Sequence, residues 1–200
     1  MRRDFQSIYR HAHARHPSAP GHGTIASQSE PCAHDNIKWR FPRLRYQAYL
    51  EQCNADSLTM IDAEVPRPGP GQVLVKMRAA SLNYRDLFIL QGLYPGVDSK
   101  DLIPLSDGAG EVVEIGAGVD RFAAGDHVIG TFFETWIAGR LQPNYFGKTL
   151  GGTAPGVLTE YRLFPQDSLV TKPAHLSFEE AATLPCAALT AWNALFEGPA

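Results

Sequence analysis

Alternation of apolar and polar positions is the clearest signal in this chain, and it begins only after residue 44. In GQVLVKMRAASLN, Gly71 to Asn83, Val73, Val75 and Met77 fall on one side and Leu74, Lys76 and Arg78 on the other. That period of two predicts a strand, entered through the stiff turn segment PRPGPG. GEVVEIG, DHVIGTFF, LTEYRLF and SLVTK repeat the pattern in shorter form, separated by Gly, Pro and Asp. Many short strands at this spacing predict a mainly β, barrel-like unit.

Two stretches switch to a helical period. NYRDLFILQG has Asn83 as N-cap, Asp86 three residues on in a variant of the capping box, and Gly92 as a stop. SFEEAATLPCAALTAWNALF opens on the stronger box Ser177 to Glu180. Pro185 should break that helix, and a second helix should carry Leu189, Trp192 and Phe196 inward.

The first 44 residues read differently. They hold five of the seven histidines among Pro, Ser and Gly, with little apolar periodicity. Such a segment cannot bury enough surface to offset its ordering entropy, so it reads as a disordered extension. His11, His13 and His16 are spaced to bind a metal adventitiously. Phe5, Ile8, Tyr9 and Ala12 would share a helical face beside Arg2, Arg3, Arg10 and Arg15, the pattern of a mitochondrial presequence. A cytoplasmic location is nonetheless the expectation, with mitochondrial targeting as the alternative.

Composition removes several function classes. A formal net charge of −3 gives no electrostatic reason to expect nucleic acid or an anionic membrane as partner. No apolar run approaches the roughly 20 residues a bilayer span needs. Cys32, Cys53 and Cys186 are odd in number and widely spread, which argues against a disulfide scaffold and a self-contained zinc knuckle.

SDGAGEVVEIGAGV, Ser106 to Val119, invites a dinucleotide reading, which fails on spacing. A G-x-G-x-x-G fingerprint begun at Gly108 meets Val113 in sixth place, and one begun at Gly116 meets Arg121. Gly116 and Gly118 instead predict a tight turn between strands. FGKT fails as a phosphate loop because Gln142 stands where glycine is required.

Taken in order, RPGPGQVLVKMRAASLNYRDLFILQGLYPG, DGAGEVVEIGAGVDRFAAGDHVIG, GVLTEY and LPCAALTAWNAL resemble the medium-chain dehydrogenase/reductase superfamily, and within it the zinc-independent, quinone oxidoreductase-like branch. The likeness runs from about Arg45 to the end. It implies a GroES-like, partly open β-barrel with short helices over residues 45–175. A helical linker over 176–200 would then lead towards a Rossmann domain that these residues do not contain. The resemblance further implies NADPH as cofactor, bound mainly by that other domain, a small-molecule substrate, and a homodimer as one option for the full-length enzyme.

Zinc-dependent members of the superfamily bind a catalytic zinc through Cys, His or Glu, and Cys. Here LNYRD has no thiol at the first place, Ser106 and Asp107 replace the His and Glu, and only Cys186 matches a ligand. TWIAGRLQPNYFGKTLGG also lacks the cysteines of a structural zinc lobe. The expectation is no metal.

By the same resemblance Asn83 would hydrogen-bond the cofactor or the substrate carbonyl while Asp86 orders the helix start; capping alone explains both equally. Tyr84 could donate a proton or a hydrogen bond, or simply pack on the surface. Tyr94 could line the pocket mouth or brace its turn. Thr190 would lie near the nicotinamide carboxamide or serve in helix packing, and Cys186 reads as a small buried residue. The expected function is the catalytic-domain portion of an oxidoreductase for quinones, enones or related carbonyl compounds, inactive alone. The alternative is a non-enzymatic remnant or interaction module.

Overall fold

The computed structural model describes residues 45–50, 58–98 and 101–197, all within the unit Arg43–Ala200. The histidine-rich extension and the presequence pattern lie outside the described residues. Strands β1 (Arg45–Leu50) and β2 (Leu58–Ala63) pair antiparallel as a two-stranded sheet. The remaining strands are β3 (Gln72–Ser81), β4 (Asp107–Ile115), β5 (His127–Gly130), β6 (Tyr161–Pro165) and β7 (Leu169–Thr171). They form a second sheet in the order β6-β3-β4-β5-β7, antiparallel throughout. Each alternating stretch of the sequence supplies one of these five strands.

The connectivity forces this sheet to curl. β6 and β7 occupy opposite edges, yet only the 3-10 turn Gln166–Ser168 separates them. Four strand spacings of about 4.8 Å would hold the edges of a flat sheet about 19 Å apart. Four Cα steps span at most about 15 Å when extended, and a 3-10 turn spans far less. Two register shifts between β3 and β4, at Leu74/Val75 and Met77/Ala79, add the local bending that bulges provide. The result is the expected partly open barrel.

Its core follows the period of two. Val73, Val75, Val112, Val128, Phe164 and Leu169 cluster on one face with Leu105, Leu150 and Val157. On the other face Ala109 and Ile129 pack against Ala181 and Ala182 of helix α2 (Phe178–Ala182). Burying these side chains is worth roughly 1.5–3 kcal/mol for each large residue.

Helix α1 (Tyr84–Leu90) starts where expected, on Asn83, and the chain turns away at Gly92 with φ +67°. At the β4 turn the glycines divide the work. Gly118 takes φ +75°, as a tight turn requires, whereas a Cβ on Gly116 would lie 1.8 Å from the Gly69 carbonyl oxygen. Gly116 is therefore fixed by close approach of two backbones.

The C-terminal segment departs from expectation twice. Ser177 and Glu180 do form the capping box. Pro185, which lacks an N–H, ends α2, but the chain stays helical through a wide π-type turn (Leu184–Ala188), a short α3 (Leu189–Trp192) and a second wide turn (Asn193–Glu197). Leu189, Trp192 and Phe196 do not point inward: they are 63%, 58% and 67% exposed, since no described element packs on that face. Among the described residues no helix is long and apolar enough to cross a membrane.

Candidate functional site

Three segments converge at one end of the curled sheet. β3 ends at Ser81, paired with Asp107 at the start of β4, so Asn83, two residues beyond β3, comes to lie beside Ser106. The corner before β4 is tightly fastened. The carbonyls of Ile103, Pro104 and Leu105 accept from the N–H groups of Gly156, Leu158 and Val157. Buried Leu105 is held at φ +70°, a left-handed conformation that costs a leucine about 1–3 kcal/mol. The wide turn after α2 brings Cys186 in from the third direction.

Hydrogen bonds join these segments into one chain. Asn83 Nδ2 donates to Ser106 Oγ at 3.3 Å, and Ser106 Oγ donates to Asp107 Oδ1 at 2.7 Å. The other oxygen of Asp107, Oδ2, accepts from the backbone N–H of Cys186 at 2.9 Å. Ser106 and Asp107 are fully buried. The Cys186 side chain is half-buried rather than fully enclosed, and it hydrogen-bonds the exposed side chain of Thr190. Burial pushes the Cys186 thiol up, and the negative Asp107 adds to the effect, so the thiol stays protonated at neutral pH.

The helix start carries a second buried carboxyl. Asp86 Oδ2 accepts from the Asn83 backbone N–H at 2.8 Å, while Oδ1 has no hydrogen-bond partner among the described residues. Burial raises the Asp86 pKa from 3.8 to about 6, against the lowering effect of the Asn83 hydrogen bond and of Arg85.

Arg85 was not singled out by sequence reasoning, yet it is the most heavily engaged residue of α1. Its guanidinium lies over the Tyr94 ring at 5.0 Å and the Phe132 ring at 4.7 Å, and donates to the Leu150 carbonyl and Thr149 Oγ1. Gly152 leaves the seat open: a Cβ there would fall 2.1 Å from Arg85 Nη2. The arginine thus ties the helix that carries Asn83 to the 149–152 loop.

The structure therefore unites Asn83, Asp86, Cys186 and Thr190 around Ser106 and Asp107. Tyr94 joins them only through Arg85. Tyr84 stands apart, 67% exposed and edge-on to Phe88 at 5.1 Å. The resemblance marks Ser106, Asp107 and Cys186 as standing at ligand positions; the hydrogen bond between Asp107 and the Cys186 backbone N–H, 79 residues off, carried no signal in the sequence.

A family model described as the alcohol dehydrogenase GroES-like domain matches residues 69–174. A zinc-type alcohol dehydrogenase-like protein of Schizosaccharomyces pombe is 47% identical over 154 residues, 76% of this chain and 44% of that protein. A chloroplastic quinone-oxidoreductase homolog of Spinacia oleracea is 36% identical over 142 residues, 70% of this chain and 38% of that protein. Among solved structures, a candidate alcohol dehydrogenase from Sinorhizobium meliloti 1021 superposes with a TM-score of 0.71 at 39% identity, covering 79% of this chain and 48% of that one. The chain spans less than half the length of each of these proteins.

Proposed function

The chain belongs to the alcohol dehydrogenase GroES-like domain family, and on that premise we propose that it forms the catalytic face of a zinc-independent, NADPH-dependent oxidoreductase for quinones, enones or related carbonyl compounds. The observation that carries this reading is the hydrogen-bonded chain Asn83–Ser106–Asp107–Cys186. By the resemblance in sequence, these residues stand where metal-dependent members of the superfamily hold a catalytic zinc.

Zinc does not fit this donor set. Tetrahedral zinc wants thiolate, imidazole or a free carboxylate. Both Asp107 oxygens already accept hydrogen bonds, Asn83 and Ser106 are neutral, and Cys186 alone is a thiol. Among the described residues no cluster of three His, Cys, Asp or Glu side chains could hold a metal ion. The relative named as zinc-type makes this the sharpest point of the proposal.

A nicotinamide does fit: the neutral polar groups of Asn83 and Thr190 suit its carboxamide. NADPH, when bound, supplies a hydride. Asn83 orients the ligand oxygen, Thr190 steadies the carboxamide end, and Asp86 holds the helix start on which Asn83 sits. Tyr94 with Arg85 borders the substrate position. Water returns the proton to the reduced product, since the Tyr84 hydroxyl, the other donor the sequence offers, stands apart from these residues. Orientation of the two reactants supplies most of the rate. The adenine and phosphates would be held by a Rossmann segment outside these residues, consistent with the greater length of the relatives.

The exposed face of Leu189, Trp192, Leu195 and Phe196 supports a second reading, a non-enzymatic interaction module. NADPH consumption followed at 340 nm, with a quinone or an enone as acceptor, separates the two. In the full-length enzyme, with the cofactor-binding segment present, turnover that survives chelation of zinc and is lost in Asn83→Ala is expected. Turnover abolished by chelation, or none with any carbonyl acceptor, would sink the proposal.

A further inference from the structure

We propose that Ser106 and Asp107 are positioning residues that lock the side-chain amide of Asn83, and so make the site select a hydrogen-bond acceptor: a carbonyl or carboxamide oxygen. The inference rests on reading Asn83 as a ligand-contacting group, and it adds the reason for its selectivity.

A side-chain amide has two donor N–H groups on one end and an acceptor oxygen on the other, and the two ends have nearly the same shape. An asparagine free to turn over would offer either end to a ligand. Here the direction is set from a buried carboxylate. Asp107 cannot rotate away, because Oδ2 is held by the Cys186 backbone N–H and Oδ1 by Ser106. Ser106 has a single O–H, which is spent on Asp107 at 2.7 Å, so its oxygen can only accept from Asn83. The end of the amide that faces Ser106 must therefore be the nitrogen, as the 3.3 Å contact shows. The amide oxygen faces the helix start in capping-box geometry, without a side-chain hydrogen bond, while the Asp86 N–H donates to the Asn83 backbone carbonyl at 3.0 Å. One Nδ2–H remains uncommitted. A ligand meeting this side chain meets a donor, and must bring an oxygen or another acceptor.

Asp107 and Ser106 act through Asn83 and touch no reacting atom in this scheme. Asp107 is well suited to the task because its charge, fully buried, is satisfied by two donors of fixed position. Replacing a metal ligand set by this chain converts the site from one that polarises by charge to one that selects by hydrogen-bond direction.

The full chain labelled with nitrogen-15 tests this by solution NMR, with the Asn83 side-chain pair assigned by its loss in Asn83→Asp. Reduced nicotinamide mononucleotide, which carries only the carboxamide end of the cofactor, serves as the probe. In the unaltered chain one N–H should exchange with water about five- to tenfold more slowly than its geminal partner, the protection expected of one hydrogen bond. Ser106→Ala should equalise the two rates and weaken the probe's effect on this pair, and Ser106→Thr, which keeps the hydroxyl, should restore both. An Asn83 pair unchanged by Ser106→Ala in a chain whose methyl spectrum remains native would overturn the positioning role. If Ser106 controls the pair but the probe leaves it unmoved in the unaltered chain, the positioning role holds and the functional reading of Asn83 fails.

Discussion

The carboxylate of Asp107 and the backbone N–H of Cys186 are 79 residues apart in the chain and meet at 2.9 Å, which fastens the first residue of β4 to the turn that follows α2. Because Ser106 takes the other oxygen, Asp107→Leu strands two donors in a buried place and is expected to cost about 2–4 kcal/mol. Asp107→Asn keeps one acceptor and should cost less. Urea midpoints for the two variants check the order, and equal losses would show that the second hydrogen bond contributes nothing.

Stability should fall as pH rises from about 4 to 6, because of Asp86. Its folded pKa of about 6 lies above the ordinary 3.8, so in this window the unfolded chain releases the proton while the folded chain retains it. The contribution is unfavourable at neutral pH, absent below pH 4, and of the order of 3 kcal/mol. Other carboxyls titrate too, so the informative quantity is the difference between the unaltered chain and Asp86→Asn. That difference should change in favour of the variant between pH 4 and 6 and then level off; a flat difference would mean that Asp86 titrates normally.

Arg85 and Gly152 should behave as one unit. Gly152→Ala places a methyl against Arg85 Nη2 and displaces the guanidinium from the Leu150 carbonyl, Thr149 Oγ1 and two rings. Arg85→Met removes the same contacts, each variant losing about 1–3 kcal/mol. Combined, they should cost little more than either alone. Additive losses in a double-mutant cycle would show that the two positions act separately.

The ion pair of Glu134 with Arg162, at 2.9 Å, is buried, and Arg162 also donates to the carbonyls of Pro155, Gly156 and Leu163. Glu134→Ala leaves that guanidinium uncompensated, for a loss of about 3–5 kcal/mol. Glu134→Gln keeps an acceptor and should retain part of the stability, a ranking that thermal denaturation reads directly.

Much of the fold was legible because its signals are local. Val73, Val75 and Met77 mark β3 by period alone, and Asn83 with Asp86, or Ser177 with Glu180, mark helix starts within four residues. Two features escaped for a physical reason. Periodicity shows that Leu189, Trp192 and Phe196 share a face that favours cover, but says nothing about what covers it. The resemblance set Ser106, Asp107 and Cys186 at one ligand place, but the hydrogen bonds that join them to Asn83 link residues 23 and 79 positions apart, and only the curl of the sheet brings those together. Pro185 was expected to break one helix from the next; α2 does stop before it, but the wide turns carry the chain on in helical form.

The account stands most directly on whether the Asn83–Ser106–Asp107–Cys186 position is metal-free. Zinc content by inductively coupled plasma mass spectrometry, on protein produced with zinc in excess and passed through a desalting column, measures it. Far less than one equivalent per chain is expected, unchanged by Cys186→Ala. One equivalent, lost on that substitution, would contradict the account.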